Sequence, residues 1–340
     1  MKIKNDICKK KKSIKLVKSH YDLIKKIKFN EKIMPYFEKG NLRLYYEDVG
    51  KGDAIIANHG LSEDGNYWSD TGVTAALSKK YRMISIDMRG HGRTVVDGEP
   101  YGYDPDTMAQ DFDDLADYLG IDKFHLLTHA TGGMVGARYT MRRSDRLLSS
   151  ILTDTSSNTQ IEIPDYREFT EEEKKARTQQ AEAYEKASEE ERAKMREMWI
   201  AMEKNASVED RMNAIRQEPG PYLFKMAAHP ESEKMLKIYE GFLRRQDRRA
   251  IIEFMTRFYT DPDPRIKELR QVKCPTLVLL GEFDVVFLKP SEIMTKEIPD
   301  VRHVIMPGLG HMTAIEDPKQ FIAEILDFLE TVEQTGKANR

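Results

Sequence analysis

The chain has 340 residues, 40% of them hydrophobic and 33% charged, with a formal net charge of −3. That length suits one large domain, or a domain with a sizeable insertion, and the slightly acidic balance excludes bulk affinity for nucleic acid or an acidic surface. No apolar stretch approaches the ~20 residues of a membrane span, and the two cysteines, Cys8 and Cys274, supply neither a disulfide framework nor metal-ligand spacing.

The charge is unevenly placed. Residues 1–32 hold twelve lysines against Asp6, Asp22 and Glu31. The segment 1–33 therefore reads as a basic N-terminal extension, a solvated block of like charge, or as sequence upstream of a translation start at Met34. It lacks the apolar run and small-residue cleavage site of a signal peptide, and the expected location is cytoplasmic.

From residue 34 the pattern alternates short apolar runs with helical stretches. LRLYYED (42–48) alternates as a half-exposed strand, while AIIANHG (54–60) and RMISIDMRG (82–90) read as buried strands ending in glycine-bearing turns. Residues 103–121 form an amphipathic helix with Met108, Phe112, Leu115 and Leu119 on one stripe. FHLLTHATGG (124–133) is a strand, a tight turn and a helix start, and LSSILTDT (148–155) is the next strand. Strands alternating with helices imply a mostly parallel sheet flanked by helices, an α/β fold class.

The alternation then stops for about a hundred residues. Thr170-x-x-Glu173, Ser188-x-x-Glu191 and Ser207-x-x-Asp210 have the form of capping boxes or close variants. Pro219-Gly-Pro221 breaks the run, and a further helical pattern covers about 232–259. Residues 158–262 read as a large all-helical insertion, a lid, within a core made of 34–157 and 263–340. PTLVLLGEFD (275–284) and RHVIMPGLGH (302–311) resume the strands, and residues 321–332 form a last amphipathic helix.

The chemistry-bearing segments occur in a fixed order: NHG (58–60), DMRGHGRT (87–94), THATGG (128–133), GEFD (281–284) and GLGH (308–311). All fall at carboxyl ends of strands, where open α/β sheets place ligands. Over residues 35–157 and 263–332 the chain resembles the α/β-hydrolase-fold superfamily, in its lid-bearing branch of esterases, lactonases, haloperoxidase-like enzymes and carbon–carbon bond hydrolases. That resemblance implies a nucleophile elbow, G-x-S-x-G, followed in chain order by an acid and a histidine. Asp284 matches the acid and His311 the histidine, the acid orienting the imidazole. The backbone N–H groups of Leu61 and Thr131 match the oxyanion hole.

The departures lie at the elbow. Ala130 occupies the nucleophile position, where a methyl group cannot attack a carbonyl, and Thr128 replaces the first glycine and is expected to crowd the turn. Substitute hydroxyls are Thr131, expected to point toward the helix, Thr128 and Ser62. Asp154 is an alternative acid. His59, His91 and His129 read as structural, His229 and His303 as solvated, Arg89 as an anchor for backbone carbonyls, and Cys274 as a buried small hydrophobe. Tyr67, Trp68, Trp199, Phe254 and Phe258 are the expected ligand-contacting residues, although the methionine and aromatic stripe of 195–258, at helical spacing, is more often the signature of a lid core.

Three functions fit: a protein using a His311–Asp284 dyad on a small, largely apolar carbonyl or ester ligand without a covalent nucleophile, a non-enzymatic binder of such a ligand, or a hydrolase whose serine was replaced by mutation. No cofactor signature is present. GHG at 90–92 lacks the spacing and acidic partner of a dinucleotide fingerprint, and no His/Cys cluster has metal spacing. The expected partner is a small molecule, with no nucleic acid; oligomeric state is open.

Overall fold

The computed structural model describes residues 35–340; the basic extension 1–33 and Met34 lie outside the described residues. The strands are β1 (Tyr36–Lys39), β2 (Leu42–Gly50), β3 (Ala54–Asn58), β4 (Arg82–Ile86), β5 (Val95–Val96), β6 (Phe124–His129), β7 (Leu147–Thr153), β8 (Thr276–Gly281) and β9 (Val301–Met306). They form one sheet in the order β1-β2-β4-β3-β6-β7-β8-β9, with β5 pairing with β2 off that path. β2 runs antiparallel to β4, whereas every pairing from β4–β3 to β8–β9 is parallel.

Period-two alternation decides which side of the sheet each residue serves. Along β6, Phe124 and Leu126 join one buried cluster and Leu127 the other. Along β8, Val278 and Leu280 face one way and Leu277 and Leu279 the other. Both faces are covered, so β3, β6 and β8 are buried from end to end, as continuous apolar runs in a parallel sheet require. Each such side chain withdrawn from water contributes roughly 1.5–3 kcal/mol.

Helices α1 (Asn66–Asp70) and α2 (Val73–Leu77) follow β3, α3 (Pro105–Tyr118) follows β5, and α4 (Ala130–Arg143) leaves β6 directly. The expected helix over 103–121 is α3, shorter at each end: Asp104 caps it by accepting from Thr107 N–H at 2.8 Å.

Among the described residues, six helices fall within the stretch 158–262: α5 (Glu171–Lys186), α6 (Glu189–Asn205), α7 (Val208–Gln217), α8 (Gly220–Ala227), α9 (Ser232–Arg245) and α10 (Arg248–Phe258). All three capping boxes form, at Thr170, Ser188 and Ser207. Pro219-Gly-Pro221 ends one helix and also opens α8, since Pro lacks only an N–H that the first helical turn leaves unused. The single pattern over 232–259 is two helices, with Asp247 capping the second by accepting from Arg249 N–H. The core is completed by α11 (Ile266–Leu269), α12 (Leu288–Glu297), α13 (Thr313–Glu316) and α14 (Pro318–Thr335). Among the described residues, no helix is long and apolar enough to cross a membrane.

Candidate functional site

Three non-glycine residues just beyond β3, β6 and β7 adopt left-handed backbone: Ser62 (φ 61°), Ala130 (φ 49°) and Asp154 (φ 50°). Each such conformation costs of order 1–3 kcal/mol and persists only where the surroundings over-determine it. At Ala130 the surroundings are explicit. A Cβ on Gly132 would lie 2.2 Å from the His59 carbonyl oxygen, and one on Gly133 would lie 2.6 Å from the Thr155 side chain. Thr155 Oγ1 donates to the Ala130 carbonyl at 2.7 Å. The strand-to-helix elbow is therefore built in full around a residue with no hydroxyl.

Thr128 does not crowd the turn. Its side chain lies against Gly136 of α4, where any Cβ would meet it at 2.7 Å, and its Oγ1 donates to the Ile151 carbonyl at 3.2 Å. The room comes from the helix, not from the turn. Nor does Thr131 point away from the pocket. It lines the central cavity, and its Oγ1 shares a hydrogen bond of 2.6 Å with the Tyr259 hydroxyl.

His311 follows β9 and Asp284 follows β8, and the sheet register brings them together: His311 Nδ1 lies 2.9 Å from Asp284 Oδ2. Asp284 is wholly buried. Its Oδ1 has no hydrogen-bond partner among the described residues. The His311 ring is held between Phe287, at 5.3 Å and nearly parallel, Tyr222 at 5.0 Å, and His129 at 5.1 Å. Asp154, the alternative acid, serves a different histidine. Its Oδ2 accepts from Thr313 Oγ1 at 2.6 Å and lies 3.5 Å from His129 Nδ1, while Oδ1 accepts from Gly281 N–H at 3.3 Å.

His129 has an unexpected environment. It is fully buried, stacked on Tyr67 at 4.7 Å, with Glu63 Oε1 3.4 Å from its Nε2 and Asp154 beside its Nδ1. Burial opposes the imidazolium, but Glu63 and Asp154 override it and push the pKa up to about 10. Burial also raises the Asp154 carboxyl, against the pull of His129. The direction the geometry favours is a protonated His129, because carboxylate oxygens face both ring nitrogens and Thr313 and Gly281 already stabilise the Asp154 charge.

His59 and His91 hold loops. His59 Nε2 accepts from Met88 N–H at 3.1 Å, tying the turn after β3 to the turn after β4. His91 Nδ1 meets the Arg89 carbonyl, and burial lowers its pKa well below the usual value. Arg89 anchors its turn chiefly through a bidentate pair with Asp111, at 2.7 and 2.9 Å, with one bond to the Tyr101 carbonyl. Burial pushes the Cys274 thiol up to about 12, consistent with a packed, inert side chain.

A cavity of about 400 Å³ joins these groups. Leu61, Ser62, Glu63, Ala130, Thr131 and His311 form its floor on the sheet side, and Tyr222, Tyr239, Met255 and Tyr259 reach it from the insertion. Burial raises Tyr222 and Tyr239 to about 12, so both hydroxyls stay neutral hydrogen-bonding groups near pH 7. Thr131 is the second residue of α4, and first-turn N–H groups have no acceptor within their own helix.

None of the five expected contact residues lines this cavity. Tyr67 is committed to His129, and Trp68 packs edge-on against Tyr67 at 4.9 Å and over Phe321. Trp199 is half-buried on α6, outside the cavity wall. Phe254 and Phe258 stack on each other at 4.8 Å, wholly buried, with Phe254 edge-on to His91. The reason is helical phase. Residues four apart share a face, so 254 and 258 anchor α10 to the core while the adjacent pair, 255 and 259, faces the ligand space. Glu63, Tyr222 and Tyr239 were not anticipated, since no local motif marks them.

Among the described residues one group approaches metal-ligand spacing: Asp154, Asp284 and His311, with one ligand atom of each within 4.8 Å of the others. Of their ligand atoms, His311 Nδ1 is paired with Asp284 Oδ2 and the Asp154 oxygens accept from Thr313 and Gly281, while Asp284 Oδ1 has no partner among the described residues.

A family model described as alpha/beta hydrolase fold matches residues 53–318. A protein of Pseudomonas savastanoi pv. phaseolicola named carbamate hydrolase RutD is 26% identical over 276 residues, 81% of this chain and 93% of the relative. The non-heme chloroperoxidase CPO-A1 of Kitasatospora aureofaciens is 35% identical over 115 residues, 34% of this chain and 41% of the relative. Among solved structures, the enol-lactonase of Burkholderia xenovorans LB400 superposes with a TM-score of 0.65 at 21% identity, covering 87% of this chain and 100% of its own.

Proposed function

The chain belongs to the alpha/beta hydrolase fold family, and on that premise we propose that it acts on a small, largely apolar carbonyl- or ester-type ligand through a His311–Asp284 dyad, without a covalent intermediate at residue 130. The observation that carries the reading is the dyad itself. A 2.9 Å Nδ1–Oδ2 contact, buried at the wall of a ligand-sized cavity, stands beside an elbow that carries Ala130 at the nucleophile position and Thr128 at its first small position.

In this reading Asp284 fixes the tautomer of His311 with Nε2 free to act as base. Nε2 takes a proton from water, and the resulting hydroxide adds to the ligand carbonyl. The oxygen that gains charge is met by the backbone N–H groups of Leu61 and Thr131. Collapse breaks the bond to the leaving group, which recovers the proton from His311. The helical insertion acts as a lid, and its tyrosines and Met255 shape the ligand space. A carbamate, named for one relative, is an ester-type carbonyl and suits this scheme.

A second reading, ligand binding without turnover, draws on the Ala130 methyl, which adds apolar surface where a nucleophile would stand. One set of assays separates the two. The native chain, Ala130→Ser and His311→Ala are compared on short activated esters, with a serine-directed phosphonate as a label. The expected outcome is slow turnover by the native chain that His311→Ala abolishes, and phosphonate labelling only after Ala130→Ser. Native turnover that survives His311→Ala sinks the dyad mechanism. No native turnover, with labelling restored by Ala130→Ser, favours the binding-only reading.

A further inference from the structure

Glu63 is 2% exposed and lines the cavity, yet among the described residues its carboxylate has two partners. Oε2 accepts from the Gly60 N–H at 2.6 Å, and Oε1 faces His129 Nε2 at 3.4 Å. An ionised carboxylate offers about four acceptor sites, so two remain open. The group is also close to the reacting position. A methyl built on Gly60 would lie 2.9 Å from Glu63 Oε2 and 3.0 Å from the Ala130 Cβ, so one methyl group spans the gap between them.

A buried anion beside oxyanion donors would repel a developing negative charge. His129 answers that. It sits between Glu63 and Asp154 and is held as the imidazolium, so the charge of Glu63 is balanced from behind while its open lone pairs remain. What is left facing the cavity is a fixed hydrogen-bond acceptor in an otherwise mostly apolar space. The tyrosine hydroxyls, by contrast, can serve as donors to ligand oxygens.

We propose that Glu63 sets specificity in this cavity: it accepts a hydrogen bond from an N–H or O–H that the ligand carries next to its carbonyl, so the site favours primary and secondary amides or hydroxy carbonyls over fully substituted analogues. This rests on the reading of the cavity as a carbonyl site. A site built to pair with a ligand N–H rejects the analogue lacking it, because the buried acceptor is left unpaired.

The test uses the full chain and two probes that differ in one feature, phenylacetamide and N,N-dimethylphenylacetamide, titrated by calorimetry into the native chain, Glu63→Gln and Glu63→Ala. The expected result is at least about tenfold tighter binding of the primary amide by the native chain, a reduced ratio in Glu63→Gln, and a ratio below about twofold in Glu63→Ala. Equal affinity of the native chain for both probes overturns the proposal and leaves the carbonyl-site reading standing. So does full discrimination retained by a folded Glu63→Ala. If Glu63→Ala fails to fold, an unchanged ratio in Glu63→Gln overturns the proposal, and a reduced ratio supports it. If neither probe binds any variant, the carbonyl-site reading itself fails, and this proposal with it.

Discussion

Thr128 and Gly136 are complementary across the join of β6 and α4: a Cβ on Gly136 would lie 2.7 Å from Thr128 Cγ2 and 2.8 Å from its Oγ1. The β-branched residue at the elbow's first small position is thus tolerated because the helix has a gap one turn further on. Gly136→Ala is expected to destabilise the fold by about 1–3 kcal/mol, the usual cost of overpacking. Thr128→Gly in the same chain should recover much of that loss. Urea unfolding of the two single variants and the double variant measures the coupling; additive effects would show that the two residues do not compensate each other.

Asp284, not Asp154, faces His311. In an Ala130→Ser background that turns over an activated ester, Asp284→Asn should lower kcat by about three to four orders of magnitude, because an amide holds the imidazole in the wrong tautomer. Asp154→Asn should cost much less, since Asp154 is bonded to Thr313 and Gly281 and faces His129. Steady-state kinetics of the two variants decide it, and equal losses would show the acid assignment to be wrong.

His129 links stability to pH. Its folded pKa, about 10, lies above the unfolded value of about 6.5. The groups facing it are Glu63, Asp154, Thr153, Tyr67 and His311. The folded state therefore binds the extra proton between those two values, so the stabilisation is fully present below about pH 6.5 and is lost as pH rises through about 10. Urea midpoints measured from pH 6 to 10 should fall across that window in the native chain, and His129→Gln should flatten the fall. An identical slope in the variant would place the effect elsewhere.

Phe254 and Met255 are neighbours in sequence with separate duties. Phe254→Ala is expected to cost about 3–5 kcal/mol of stability, as a fully buried aromatic does. Met255→Ala should cost far less, since the residue faces the cavity, and should instead change the affinity for phenylacetamide. Unfolding curves and ligand titrations on the two variants check this; a large stability loss from Met255→Ala would contradict the helical phase of α10.

Much of the fold was legible because it rests on local pattern. The buried runs AIIAN and TLVLLG and the three capping boxes each act over a few residues, and each appears where the pattern placed it. The two-residue strand β5 was missed, since Val95–Val96 is too short to show a period and is held by β2. The helical pattern over 232–259 was correct in kind, but its division at Gln246 and Asp247 depends on one cap.

The site divides along the same line. The resemblance to the α/β-hydrolase fold, carried by short motifs at strand ends, singled out Ala130, Thr131, Asp284 and His311, and turns after parallel strands converge on one end of the sheet. The sequence also showed by itself that position 130 lacks a hydroxyl. Tertiary structure alone decided that Thr128 is accommodated by Gly136, that Thr131 meets Tyr259, and that Glu63 and Asp154 enclose His129. Those relationships join residues 8 to 128 positions apart. They depend on the phase of one helix against another and on which carboxylates burial forces together, neither of which has a local signature. The choice between Phe254 and Met255 as the ligand-facing residue is of that kind: both are apolar, and only the packing of α10 on the core tells them apart.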